Sequence, residues 1–422
     1  MQSKNTNADG ININYNKLCY TILMKKIVLI LALLLGFNSA FAVNELSFIY
    51  INGSNNNDEK MKNWYENGVK KLHPVLRKKF LKNSTIKKYY KEFDETLAIK
   101  EDPVIFFWGD KSKTDLDFVR KQLDLSKAIS SSGAYFARSL IAQYLHDAIW
   151  VQKTHNMLPV LEDLDKTVKQ EADSGNSVVL YGYSAGTFVT YQYLFNKLPY
   201  INLENLFETL KADKDIIDFI KENPRKNTCI SALSYDYAGI GNVSGAGHII
   251  LNQDKEQLKK NYLMIDDMTQ KACAPEGRVV GVVNFACPIV LFYSDISDDN
   301  YELNFYNRLM NKYIMENGIF MLTVNFCEDP LGFPTGRNLT AKEIEQRLGV
   351  SINNPTGVIY DDSGVWSKRW FAFAHTSYWT ARGTFSKAIV KDFVNGYKFQ
   401  YDEKYQKKIL KRKSKRSELG DD

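Results

Sequence analysis

Apolar residues follow two different periods along this chain. Short continuous apolar runs alternate with longer segments in which apolar residues recur every three or four positions, as between Trp64 and Leu76. Continuous runs are typical of parallel strands buried on both faces, and the longer segments are typical of amphipathic helices. The strand-like runs are residues 46–51, 103–108, 178–181, 278–293, 319–326 and 357–360. This alternation predicts an α/β fold with a mostly parallel central sheet flanked by helices.

The amino terminus departs from this alternation. Residues 1–23 are polar and rich in Asn, and we interpret them as an untranslated or disordered lead before a start at Met24. Residues 24–42 combine two lysines, an apolar run at 27–35 and an Ala-x-Ala ending, which is the arrangement of a secretory signal peptide. The apolar run is shorter than the roughly 20 residues that a membrane-spanning helix needs. We therefore expect a secreted or periplasmic protein, cleaved after Ala42.

Charge and cysteine content narrow the function classes only a little. The chain has 55 basic and 49 acidic residues, and four of the basic ones lie in residues 1–42, so the remainder is nearly balanced. We therefore expect no nucleic-acid partner. Four cysteines follow the signal peptide without the spacing of a zinc site, and no metal or other cofactor is expected. The sequence leaves open whether these cysteines form one or two disulfides, and Cys287 and Cys327 are equally consistent with buried free thiols.

The period changes most abruptly within residues 177–198. A strand-like run ends in Gly182-Tyr-Ser-Ala-Gly186, and a helical pattern of apolar residues follows at once. A turn this sharp holds Ser184 in a strained backbone conformation and presents its hydroxyl outward. Gly182 and Gly186 are expected because a Cβ atom at either position would clash with the neighbouring strand and helix. The alternative is an ordinary Gly-Ser turn between a strand and a helix.

This order of strand, turn and helix resembles the nucleophile elbow of the α/β-hydrolase superfamily, and the chain is similar to its lipase-like serine esterases. The resemblance spans most of residues 46–390, but its specific part is three short motifs and their order. It implies a serine nucleophile, a histidine base and an orienting carboxylate, in the chain order Ser, acid, His.

Two histidines follow Ser184, namely His248 in a Gly-rich stretch and His375 near the end of the chain. The resemblance favours His375, because the stretch from Ala374 to Trp379 looks like the histidine loop of secreted lipases. The alternative for His375 is a side chain packed among aromatic residues.

The expected acid is Asp329. It lies just past a strand-like run, in a stretch that resembles the Asp-Pro loop carrying the acid in lipase-like hydrolases. Asp295 is the second candidate, one strand earlier, and Glu328 is the adjacent carboxylate. An Asp-Pro pair is also a common way to begin a loop.

The oxyanion donors are expected on two loops. The residue after the nucleophile, Ala185, supplies one backbone N–H group. The first strand ends in Asn52-Gly53-Ser54, where lipase-like hydrolases often carry His-Gly. The resemblance implies that Gly53 permits close approach of the backbone and that Ser54 supplies the second N–H. Asn-Gly is equally a common turn dipeptide.

Under this resemblance, residues 43–400 form an α/β-hydrolase domain with a helical cap or lid around residues 202–270. Residues 401–422 form a tail dense in Lys and Arg. A disordered, solubilising end is the favoured interpretation of the tail, and contact with an anionic membrane or cell-envelope polymer is the alternative.

Together these features predict a secreted serine carboxylester hydrolase of the lipase type, acting on an ester or lipid substrate. An acyltransferase, a phospholipase or a thioesterase would use the same three residues. From another class, a surface-binding protein on a hydrolase scaffold without turnover is the alternative.

Overall fold

A computed structural model of the protein describes most of the chain between residues 45 and 417. The predicted lead and signal peptide lie outside the described residues. The described residues are 45–54, 59–91, 97–126, 131–152, 154–196, 199–200, 213–223, 228–229, 255–256, 259, 263, 279–289, 311–333, 340–342, 345, 352, 355–361 and 365–417.

The described part of the chain contains eight strands, and six of them form a parallel central sheet. The eight strands, numbered along the chain, are β1 (Leu46–Ile51), β2 (Val104–Phe106), β3 (Ser177–Tyr183), β4 (Pro199–Tyr200), β5 (Thr228–Cys229), β6 (Val279–Phe285), β7 (Phe320–Val324) and β8 (Val358–Asp361). The order across the central sheet is β2-β1-β3-β6-β7-β8, and each neighbouring pair is parallel. The short strands β4 and β5 pair with each other, antiparallel and apart from this sheet. The predicted α/β class with a parallel central sheet is confirmed.

Helices connect the strands. They are α1 (Glu59–Lys82), α2 (Ser84–Lys91), α3 (Gly109–Ser126), α4 (Ser132–Gln152), α5 (Thr154–Asp173), α6 (Gly186–Asn196), α7 (Lys214–Glu222), α8 (Phe371–Ala374), a 3₁₀ turn (Ser377–Trp379), α9 (Arg382–Tyr401) and α10 (Glu403–Ser417). None of the helices in the described part of the chain combines the length and apolar character needed to cross a membrane.

Helices cover both faces of the sheet, and β1 illustrates why a central strand is almost entirely apolar. Phe48 and Tyr50 pack on one face with residues of α1, α2 and α9. Ile49 and Ile51 pack on the other face with residues of α4, α5 and α6. Since successive side chains of a strand point to opposite faces, a strand covered on both sides needs a continuous apolar run. Burial of apolar side chains on both faces of the sheet supplies the main driving force for the fold.

The strand order reverses between β1 and β3. After β1 the chain moves outward to β2, and it then returns to place β3 on the other side of β1, from which β6, β7 and β8 continue outward. At such a reversal the connections leave the two central strands in opposite directions and open a crevice at their carboxyl ends. Gly53 follows β1 and Ser184 follows β3, so both lie at this crevice.

One sequence prediction about the elements differs from the structure. The tail is helical from Glu403 to Ser417, so the favoured interpretation of a disordered end is wrong for these residues. Two other helices carry weak signals in the sequence: Leu116 is the only fully buried apolar side chain of α3, and Pro159 lies inside α5.

The predicted cap lies mostly outside the described residues. Within residues 202–270 the structure describes mainly α7 and β5. Ile216 and Ile220 of α7 are buried in the same core cluster as α5 and α6, so α7 is an amphipathic helix that packs on the protein core.

Gly186 is required where the elbow meets β1, and this gives a testable prediction. A Cβ atom at this position would lie 2.6 Å from the carbonyl oxygens of both Ile51 and Asn52. Backbone atoms cannot move aside as a flexible side chain can, so we expect Gly186→Ala to lower the free energy of unfolding by about 3 kcal/mol. Urea denaturation followed by circular dichroism measures this loss.

Gly383 supplies the matched control. It lies in the first turn of α9, and a Cβ atom there would meet nothing within 4 Å. Gly383→Ala is therefore expected to leave stability unchanged or raise it by about 0.4–1 kcal/mol, because alanine reduces the entropy of the unfolded chain. Equal stability of the two variants would show that the backbone of β1 does not lie as close to Gly186 as described.

Candidate active site

Ser184 occupies the tip of a sharp turn between β3 and α6. Its φ angle is +52°, in the left-handed region that a residue with a side chain seldom adopts. Its N–H donates to the carbonyl of Phe285 at the end of β6, at 3.1 Å, which holds the turn against the next strand. The strained backbone predicted at this position is present.

Gly182 has the close surroundings that the sequence predicted. A Cβ atom there would lie 2.9 Å from Asn284 Oδ1 on the neighbouring strand and 2.9 Å from the Cα atom of Thr187 on the following helix. Together with Gly186, it permits the strand to turn directly into the helix.

Three side chains from distant parts of the sequence meet at this turn. His375 Nε2 lies 3.0 Å from Ser184 Oγ, across 191 residues of sequence. His375 Nδ1 lies 3.0 Å from Asp329 Oδ1 and 3.2 Å from Oδ2. The Asp329 side chain is fully buried, and Ser184 is 8% exposed. The structure thus places the predicted serine, histidine and acid in one continuous chain of hydrogen bonds.

Asp329 is held by donors from three directions. Besides His375, the N–H of Leu331 donates to Oδ1 at 2.9 Å, and the hydroxyl of Tyr378 donates to Oδ2 at 2.9 Å. Tyr378 in turn accepts from the N–H of Phe326 at 2.9 Å. Burial and the nearby Asp329 carboxylate raise the pKa of Tyr378 well above its usual range, so this hydroxyl stays protonated and donates. Asp329 is therefore fixed as an acceptor facing the imidazole.

The loop that carries Asp329 is fastened to the sheet by Asn325. This buried residue follows β7; its Oδ1 accepts from the N–H of Cys287 at 2.9 Å, and its Nδ2 donates to the carbonyl of Phe333 at 2.9 Å. It thus ties the two ends of the acid loop to the segment after β6.

His375 follows α8 and is positioned by Tyr183, the residue before the nucleophile. The Tyr183 hydroxyl donates to the carbonyl of His375 at 3.0 Å, and the two rings stack at 5.5 Å with an angle of 29° between their planes. Tyr183 also packs edge-on against Trp379, at 5.1 Å. Phe373, two residues before His375, is exposed and does not belong to this packing. The histidine thus lies at the rim of an aromatic cluster, with its Nε2 turned to Ser184.

The loop after β1 closes the other side of the site. Asn52 is fully buried; its Oδ1 accepts from the N–H of Trp108, and its carbonyl accepts from Trp108 Nε1 at 2.6 Å. Gly53 approaches the nucleophile so closely that a Cβ atom would lie 2.7 Å from Ser184 Cβ. The close backbone approach expected of Gly53 is therefore present, and Ser54 follows at the partly exposed edge of the site.

The N–H of Ala185 lies immediately after the nucleophile and directly before α6. Among the described residues it donates to no acceptor. It is therefore available to a substrate oxygen held beside Ser184.

The alternative site residues fall elsewhere. Glu328 accepts from the N–H groups of Ser367 and Lys368, at 2.9 Å each, and so stabilises a neighbouring loop. Asp295 and His248 lie outside the described residues.

A second group of Ser, Asp and His side chains lacks the arrangement of a nucleophile. Ser112 Oγ donates to Asp147 Oδ1 at 2.9 Å, and His146 Nδ1 lies 3.2 Å from the same oxygen. Because the carboxylate stands between the other two, no histidine accepts the serine proton.

Cys287 and Cys327 differ in their exposure. Cys287 is a buried free thiol, and its burial raises its pKa to about 12, so it is not a thiolate nucleophile at neutral pH. Cys327 is exposed, contrary to the interpretation of a buried thiol. No cluster of three metal-binding side chains is found among the described residues.

Comparison of the chain with protein-family models, with curated proteins and with solved structures finds no match. Function is therefore inferred from the fold and from the geometry of this site.

Proposed function

We propose that the protein is a serine hydrolase that cleaves carboxylic esters, of the lipase or esterase type. The observation that carries the proposal is the hydrogen-bond chain from Ser184 Oγ to His375 Nε2 and from His375 Nδ1 to Asp329, with a shortest distance of 3.0 Å at each link. Both distances fall within the roughly 2.6–3.2 Å that activation of a serine requires.

The direction of proton transfer follows from the acceptors. The Asp329 carboxylate only accepts, so the imidazole proton resides on Nδ1, and Nε2 is left as an acceptor for the Ser184 hydroxyl. As Ser184 Oγ attacks the ester carbonyl, its proton passes to His375 Nε2. His375 then gives this proton to the leaving alcohol, which produces an acyl-enzyme. Water, deprotonated by His375, releases the acid and regenerates Ser184.

The negative charge on the attacked oxygen needs fixed donors. We assign these to the N–H of Ala185 and, across the crevice, to the loop that contains Gly53 and Ser54. A donor of this kind contributes about 2.7–4 kcal/mol to lowering the barrier. The hydrogen bonds from Trp108 to Asn52 keep the loop after β1 in place, so it does not have to reorganise during the reaction.

We further propose that the chain is an α/β-hydrolase with a cap in the segment around residues 202–270. The parallel sheet and the left-handed φ angle at Ser184 support this assignment. The order of Ser184, Asp329 and His375 along the chain supports it too. The signal-peptide pattern of residues 24–42 indicates activity outside the cytoplasm.

Asp329→Asn tests the role of the carboxylate. Asparagine presents an N–H₂ group, which moves the imidazole proton to Nε2 and removes the acceptor for Ser184. We expect kcat for a short-chain p-nitrophenyl ester to fall about 10⁴-fold, the loss known for this change in a serine triad.

Glu328→Gln is the matched control, since it alters the adjacent carboxylate, which accepts from backbone N–H groups of Ser367 and Lys368 and not from His375. This variant should keep kcat within about tenfold of wild type, because its remaining carbonyl oxygen still accepts. A loss in Glu328→Gln as large as in Asp329→Asn would reject the assignment of the acid.

A further inference from the structure

A short segment beside the active site exposes large aromatic side chains. Trp366 and Trp370 are each 65% exposed, and Phe373 is 63% exposed. The rings of Trp370 and Phe373 lie 6.0 Å apart. Single exposed apolar residues are common on proteins, but three large ones within eight residues indicate a surface that contacts something apolar.

Two cations lie between the tryptophans. Lys368 and Arg369 are exposed, and neither forms an ion pair with a described residue. The segment from Trp366 to Phe373, called here the aromatic loop, therefore combines exposed aromatic rings with two exposed cationic side chains.

The aromatic loop is firmly attached to the catalytic residues. The N–H groups of Ser367 and Lys368 donate to the carboxylate of Glu328, which directly precedes Asp329. At its other end, Phe373 lies two residues before His375. Lys368 has a φ angle of +61°, a strained conformation that these hydrogen bonds help to maintain. The loop thus presents its aromatic rings from a fixed position at the edge of the site.

We propose that the aromatic loop docks the protein on an anionic lipid bilayer. Tryptophan favours the boundary between acyl chains and headgroups, where its ring is buried and its N–H remains wet. Lysine and arginine at the same depth attract anionic headgroups. This inference rests on the proposed function and deepens it, since a bilayer held against the loop brings its ester lipids to the edge of the crevice that contains Ser184.

Two other surfaces fit a bilayer less well. In the tail helix α10, Tyr405 and Ile409 pack against the protein core, so these two side chains are not available to lipid. The groove between α1 and α9 is rimmed by lysines, including Lys78 and Lys82, but it has no exposed aromatic residue. A sugar ligand is also disfavoured, because the rings of Trp370 and Phe373 are tilted by 52° and form no flat platform.

Vesicle binding tests the proposal without requiring turnover. All proteins carry Ser184→Ala, and sedimentation measures binding to vesicles of phosphatidylcholine with or without phosphatidylglycerol. We expect binding to vesicles with phosphatidylglycerol, and we expect the triple change W366S, W370S, F373S to weaken it at least tenfold. The double change K368Q, R369Q should weaken it about 30-fold, the effect of two cations near an anionic surface, and leave the weak binding to pure phosphatidylcholine unchanged.

Three control variants locate the contact. One removes exposed apolar residues elsewhere, F118S with L125S; one neutralises the groove, K78Q with K82Q; and one neutralises the tail, K407Q, K408Q and K411Q. Each should bind vesicles within threefold of the parent. Absence of vesicle binding in the parent, or a loss in a control variant as large as in the aromatic-loop variants, overturns the proposal. Thermal melting verifies that each variant is folded. Ester hydrolysis by proteins that retain Ser184 is measured separately, so failure of the docking proposal is distinct from failure of the catalytic one.

Discussion

Ser184→Ala is expected to hydrolyse p-nitrophenyl butyrate about 10⁴- to 10⁶-fold more slowly than wild type, the range found when one member of a serine triad is removed. In the proposed mechanism, Ser184 Oγ forms the bond to the acyl carbon, and His375 and Asp329 act through it. Alanine adopts the same backbone turn with a smaller side chain, so melting temperature should change little. Steady-state kinetics with active protein and variant side by side measures the loss in kcat.

Ser112→Ala controls for loss of a buried serine hydroxyl as such. Ser112 is buried and donates to Asp147, just as Ser184 is buried and contacts His375, but the partner of Ser112 is a carboxylate and the partner of Ser184 is an imidazole. In this variant the free energy of unfolding should fall by about 1 kcal/mol, and kcat should stay within a few-fold of the wild-type value. If activity is lost in Ser112→Ala and retained in Ser184→Ala, the assignment of Ser184 as the nucleophile is wrong.

His375→Ala is expected to cause a similarly large loss, about 10⁴-fold or more in kcat. Without the imidazole, the Ser184 hydroxyl loses the base that lies 3.0 Å from its Oγ and becomes a weak nucleophile. Asp329 cannot substitute, because its carboxylate is directed to Nδ1 of the absent ring. The same ester assay measures this effect.

His248→Ala is the matched control, since His248 is the other histidine that follows Ser184 in the chain. This variant should retain wild-type kcat within a few-fold. If activity is lost only when His248 is replaced, the base has been assigned to the wrong histidine.

The sheet could be predicted because burial leaves a simple pattern in the sequence. All residues of β1 and β3 are buried, and their continuous apolar runs were recognisable without any partner strand. The tail helix was missed although its signals were present. Asp402 Oδ1 accepts from the N–H groups of Lys404 and Tyr405 and so caps the helix. Tyr405 and Ile409, four residues apart, form the narrow apolar stripe, and the many lysines obscured it.

The site was predictable where chemistry depends on chain order, and unpredictable where it depends on packing. Ser184, Asp329 and His375 follow from an elbow, an Asp-Pro loop and a late histidine. The roles of Tyr183 and Tyr378 could not be predicted from the sequence, since each forms a hydrogen bond across 49 or more residues. Such contacts are created by the alignment of strands, which a single sequence does not specify.

Buried asparagines offered a local signal that could have been used. Asn52 follows β1 directly, and Asn325 follows β7 directly. An amide at the end of an apolar strand must find partners inside the protein, so it tends to fasten a loop. Both asparagines bond to backbone atoms of a neighbouring loop and position the two sides of the site.

Reaction with a fluorophosphonate probe tests the central claim most directly, because the probe bonds only to a serine that a base has activated. Wild-type protein should acquire one adduct, located by peptide mass spectrometry on Ser184, and folded Ser184→Ala should acquire none. A folded wild-type protein that stays unlabelled, or equal labelling of the two proteins, would contradict the assignment of Ser184 as a catalytic nucleophile.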